Sequence, residues 1–187
     1  MSKSLWLTAV IAMTAFAGTA GASPLPEPEQ VWLDLGGWSH HSTIEGDQYH
    51  YNENHMGAGV TALWPEAISG LRPLGSIWYM KDSHGENLWQ FGTGLNYALW
   101  GDPEKDWLAV DVSFQLGWVS RHERTYLSAG TLGTDTHRIH TVAIVPYLGV
   151  TISGATRLEF TYIPESREIG APSSVWFARI AIKLPSL

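Results

Sequence analysis

Apolar and polar residues alternate along most of this chain with a period of two. In residues 107–120, Leu108, Val110, Val112, Phe114, Leu116 and Trp118 point one way. Asp111, Ser113, Gln115 and Gly117 lie among those pointing the other. In residues 88–100, Trp89, Phe91, Leu95, Tyr97 and Leu99 share one face, and Gln90, Gly92, Gly94 and Asn96 share the opposite one. Leu158, Phe160 and Tyr162 oppose Arg157, Glu159 and Thr161 in the same way, and Ala178, Ile180, Ile182 and Leu184 oppose Arg179 and Lys183. Successive side chains of a strand face opposite ways, so each run has one greasy face and one polar or small face.

Polar or Gly/Pro-rich turns divide the chain from Val31 onward into strand-like runs at 31–41, 56–64, 71–82, 88–100, 107–122, 137–152, 156–163 and 175–184. None sustains a helical period. A soluble sandwich also alternates, with its apolar face inward, whereas a membrane barrel turns that face to lipid. Periodicity does not choose between them. Several runs reach the ~10 residues that a tilted membrane crossing needs, and the number of runs is even. The pattern predicts an all-β fold, an eight-stranded antiparallel up-and-down transmembrane β-barrel over residues 31–187. Its interior is wide enough for side chains or one small ligand.

The N-terminus reads differently. Lys3 precedes an almost wholly apolar stretch, LWLTAVIAMTAF, and Ala20-Gly21-Ala22 fits a cleavage site. Residues 1–22 are expected to be a secretory signal peptide; the apolar run falls short of the ~20 residues of a spanning helix. Residues 23–30, SPLPEPEQ, form an extended lead-in. Export adds weight to the barrel. The 187 residues include no cysteine, 10 Trp, 7 Tyr and 19 Gly. Aromatic enrichment suits the two interfaces of a membrane barrel. With 11 Lys and Arg against 18 Asp and Glu, no basic face points to nucleic acid.

His40 and His41 end the first run, and Asp82-Ser83 end the third. Strands one and three of an up-and-down barrel point the same way, so both groups meet at one rim. A histidine there could take a proton from a hydroxyl while a carboxylate orients the imidazole, which is acyl-transfer chemistry. Histidines at loop edges are more commonly plain surface residues. His40, His41, His50 and His55 match no tight metal-ligand spacing, and neither a metal nor a cofactor is implied. Pro146 interrupts the sixth run. Lacking an N–H, it marks either a bulge or a gap in the wall through which a lipid could enter.

Several short motifs occur in order across residues 32–184: Tyr51-Asn52-Glu53, Gly57-Ala58-Gly59, Lys81-Asp82-Ser83, Phe160-Thr161-Tyr162-Ile163-Pro164 and Val175-Trp176-Phe177-Ala178. In these, and in Pro146, the chain resembles the PagP-type lipid A palmitoyltransferases of Gram-negative outer membranes. The resemblance implies a monomeric outer-membrane barrel that holds an acyl chain inside and moves it from a phospholipid donor to lipid A. It implies catalysis by Asp82, Ser83 and a histidine, matched best by His41, with His40 as the alternative. It also implies acyl-chain binding by Gly94, Asn96 and Pro146, Asn96 lying near the family's acyl-length-setting glycine. SPLPEPEQ stands where the family carries an amphipathic helix. Two other functions suit a similar barrel: a lipid A deacylase or phospholipase, and a non-enzymatic structural or adhesion protein.

Overall fold

A computed structural model describes residues 26–42, 50–128, 131–165 and 173–185. The expected signal peptide lies outside them. Eight strands, β1 (Gln30–His41), β2 (Asn54–Leu63), β3 (Leu71–Lys81), β4 (Asn87–Trp100), β5 (Leu108–Ser128), β6 (Thr131–Ile152), β7 (Thr156–Ile163) and β8 (Val175–Lys183), follow one another around a closed barrel. All neighbours are antiparallel, and β1 pairs with β8 from Trp32↔Lys183 to His41↔Val175. Each strand pairs with two neighbours around the barrel, so most ladder hydrogen bonds are made within the wall.

The alternation read from the sequence is turned inside out relative to a soluble protein. Phe91, Leu95, Phe114, Leu116, Leu148 and Phe160 are exposed on the outer wall, while Asp34, Thr61, Gln115, Thr151, Glu159 and Arg179 are buried inside. Trp89, Tyr162 and Trp176 lie on the outer surface toward one rim, and Tyr97, Trp100 and Trp107 toward the other. This is the surface of a membrane-spanning barrel, with aromatic residues toward both ends of the apolar wall. It excludes the sandwich.

The interior has two halves. In the half toward the β2–β3 turn, Arg179 pairs with Glu159 and lies 3.9 Å from Asp34. Thr61 donates to Asp34 at 2.7 Å. Arg157 pairs with Asp111 and reaches Glu159 at 3.3 Å. The Arg179 guanidinium is held between the Trp78 and Tyr147 rings, 4.9 and 4.8 Å from their centroids. Each buried charge therefore has an opposite charge beside it, as burial demands. The other half is largely apolar and hollow.

β5 and β6 are longer than the sequence pattern indicates. Their ladder runs past Ser120↔His140 to Ser128↔Thr131, so the hairpin projects beyond the neighbouring strands. Apolar alternation fades there because neither face of a ribbon outside the bilayer meets lipid or a barrel core.

Candidate functional site

The site occupies the rim where β1, β3 and β7 end. Its first determinant is a bulge in β1. Register shifts between Leu35 and Trp38 against β8, and between Gly36 and Trp38 against β2. Gly36 and Gly37 take φ of 80° and 123°, a region costly for side chains with a Cβ. The extra residue inverts the facing of everything after it. Before the bulge, Gln30, Trp32 and Asp34 face inward; after it, Ser39 and His41 do. His41 is therefore the inward histidine, its side chain 6% exposed against 78% for His40.

His41 Nε2 lies 2.9 Å from Ser83 Oγ. The imidazole stacks on Tyr51 with 4.3 Å between centroids and 7° between planes. The backbone N–H of His41 donates to Glu53 at 3.0 Å. Asn52 ties the two loops together: its N–H donates to Ser83 O at 2.8 Å and its side-chain amide to Asp82 O at 3.0 Å. The sequence-predicted His41 and Ser83 thus meet.

Asp82 lies beside them, with its carboxylate engaged by other partners. One carboxylate oxygen accepts the backbone N–H groups of His84 and Glu86, each at 2.9 Å. The other accepts the N–H of His122 at 2.8 Å and lies 3.2 Å from His122 Nδ1. Among the described residues, His41 is not a partner of this carboxylate. Through these contacts Asp82 fixes the turn that carries Ser83 and ties it to β5. In that turn, burial pushes His84 down to about 4, which leaves it neutral near pH 7.

Sequence reasoning missed the group behind His41. His55 Nδ1 lies 2.8 Å from the carbonyl of Lys81, and its Nε2 lies 2.8 Å from Ser39 Oγ. Ser39 Oγ in turn lies 3.4 Å from His41 Nδ1. The β2–β3 ladder stops at Ala58↔Tyr79, so an imidazole rather than a β2 backbone group meets the Lys81 carbonyl. The available signal was parity: His55 shares a β2 face with Gly57, Gly59 and Thr61.

Beneath the pair lies a cavity of about 390 Å³. Met80, Leu88, Val119, Val145 and Phe177 line its wall, and Trp78, Gln90 and Tyr147 close its floor. The cavity also reaches Pro146, Thr161, Tyr162 and Pro164. The β6–β7 ladder runs only from Ile152↔Thr156 to Leu148↔Phe160. Above it, Thr161, Tyr162 and Ile163 pair with β8 but, among the described residues, not with β6. Pro146 stands just past the last pair, at the start of a break in the wall.

Asn96 and Gly94 do not line this cavity. Asn96 donates to Asp111 at 2.6 Å and borders a separate pocket of about 40 Å³ near the opposite rim. A Cβ at Gly94 would meet the Phe114 carbonyl oxygen at 1.9 Å, so this glycine permits close approach of β4 and β5. Both residues lie beyond the Trp78–Tyr147 floor, outside the lining of the larger cavity.

No family model and no curated protein matches the chain in sequence. Solved structures match its shape. The N-terminal β-barrel domain of Pseudomonas aeruginosa OprF is 9% identical with a TM-score of 0.45, covering 85% of this chain and 100% of that one. The attachment invasion locus protein Ail of Yersinia pestis, an outer membrane protein, is 10% identical with a TM-score of 0.45 and the same coverages. These likenesses concern the barrel fold alone.

Proposed function

We propose that this protein is an outer-membrane acyltransferase that moves a fatty acyl group from a phospholipid to lipid A, after export directed by residues 1–22. The observation that carries the reading is the His41–Ser83 pair on the lip of an apolar cavity. A base within hydrogen-bond reach of a hydroxyl is the arrangement acyl transfer uses. The ordered motifs of the palmitoyltransferase family support the same reading.

The donor's acyl chain enters through the break beside Pro146 and lies in the cavity, which brings its ester to the rim. His41 takes the proton of the attacking hydroxyl, at Ser83 or on the acceptor in its place. The donor ester's C–O bond breaks, and the lysophospholipid leaves with that proton. The acyl group ends as an ester on a lipid A hydroxyl. No cofactor is required, because every proton stays within the exchange. With water as acceptor, the same site would act as a deacylase or phospholipase.

One observation favours a non-enzymatic structural or adhesion barrel instead: side chains fill the half of the interior below Trp78, as in a barrel whose lumen serves stability alone. The test is to express the protein in a host making unmodified lipid A and to weigh that lipid A. A gain of one acyl group that disappears with His41→Ala supports transfer. Loss of an acyl group or release of free fatty acid supports hydrolysis. No change in either lipid supports the non-enzymatic barrel.

A further inference from the structure

We propose that His55 is a positioning residue that fixes the proton of His41 on Nδ1, acting through Ser39. The direction of each hydrogen bond follows from the groups in the chain. A carbonyl oxygen only accepts, so the Lys81 carbonyl takes the proton of His55 Nδ1 at 2.8 Å. A neutral imidazole carries one proton, so His55 Nε2 is left as an acceptor and takes the Ser39 hydroxyl hydrogen at 2.8 Å. Ser39 has no second hydrogen. Toward His41 Nδ1 at 3.4 Å, Ser39 Oγ is therefore the acceptor and Nδ1–H the donor. The lone pair of His41 then sits on Nε2, facing Ser83 Oγ at 2.9 Å.

The relay does what an orienting carboxylate does for a catalytic histidine, and Asp82 is not placed to do it. Glu53 is the one competing influence described on this side of the ring: its carboxylate lies 3.8 Å from His41 Nδ1. It too favours a proton there, so its share has to be separated from that of His55. The inference rests on the acyltransferase reading for its catalytic consequence but not for its proton placement.

Nitrogen chemical shifts of 15N-histidine-labelled protein in detergent micelles report which ring nitrogen of each neutral imidazole carries hydrogen. His41 is assigned by the signal lost in His41→Asn. The wild type is expected to show His41 protonated on Nδ1. His55→Phe and Ser39→Ala, each checked for folded-barrel migration on gels, are expected to move hydrogen onto Nε2. His55→Gln, whose amide oxygen can still accept from Ser39, is expected to restore the wild-type pattern. If the protein transfers acyl groups, His55→Phe also lowers kcat by about 10²-fold, the low end for a positioned acid–base group, while His55→Gln recovers much of it. An Nε2–H wild type overturns the proposal, as does a tautomer moved by Glu53→Gln but by neither His55→Phe nor Ser39→Ala. Should His55→Phe fail to fold, Ser39→Ala decides alone. A tautomer shift in a protein without acyl transfer upholds the relay and removes the acyltransferase reading.

Discussion

His41 Nε2 and Ser83 Oγ, 2.9 Å apart, join the end of β1 to the turn after β3 across the mouth of the barrel. Neither group has this partner unless both strands end at the same height. His41→Ala and Ser83→Ala are each expected to lower lipid A acylation by about 10²–10⁴-fold, the usual contribution of a positioned acid–base group. Both variants should keep their folded-barrel migration. Lipid A mass spectra of cells expressing each variant check this.

Asp82 gives a different outcome. Its carboxylate receives backbone N–H groups from His84, Glu86 and His122, so Asp82→Ala strips the Ser83 turn of its anchor. Leaving those donors unsatisfied costs about 1–3 kcal/mol, and the loss should appear as a lower unfolding midpoint in urea. Asp82→Asn retains one acceptor oxygen, so its activity should fall less than that of His41→Ala. A carboxylate directly orienting His41 would make the two losses comparable.

The β1 bulge yields a prediction about facing. Replacing Gly36 and Gly37 by Val, which disfavours positive φ, removes the bulge without removing a residue, so simple alternation turns His40 inward and His41 outward. That variant should lose acylation, whereas His40→Ala alone should leave it within about two-fold, as expected of an exposed residue away from the machinery. Lipid A mass spectra of the two variants make the comparison.

The cavity floor predicts which residues set acyl length. Gln90 and Tyr147 close the hollow, so Ala143→Trp, which adds bulk to its lining, should shift the product toward shorter acyl chains. Asn96→Gly should leave chain length unchanged, because Asn96 belongs to the other pocket. The mass of the transferred acyl group is the readout.

His84 carries the pH prediction. Burial lowers its folded-state pKa to about 4, below the ~6.5 of an exposed histidine. The unfolded chain therefore takes up this proton first on acidification. His84's contribution to stability is fully present above pH ~6.5 and falls progressively toward pH 4. Its imidazole resonances should titrate near 4 in the folded barrel.

The strands were legible because one face of each meets lipid, so Leu108 to Trp118 or Trp89 to Leu99 write their period directly into the chain. The projecting part of β5 and β6 was not, since residues such as Arg121, Glu123, Thr136 and His137 face water or the rim and carry no such contrast. His41, Asp82 and Ser83 were placed at one end by strand direction alone. The choice between His40 and His41 needed the bulge, which two adjacent glycines permit but do not announce. The partner behind His41 was hidden because His55 acts through Ser39 from a different strand. The inward facing of Asn96 was legible from parity, but its height, beside the smaller pocket, was not.

The Arg179 cluster also decides what this barrel is not. A guanidinium clasped between two aromatic rings and braced by Glu159 seals the lumen midway, so the protein is a cup rather than a pipe. Among the described residues the cavity opens toward one rim and toward the break in the wall, so whatever it holds leaves by one of those two ways.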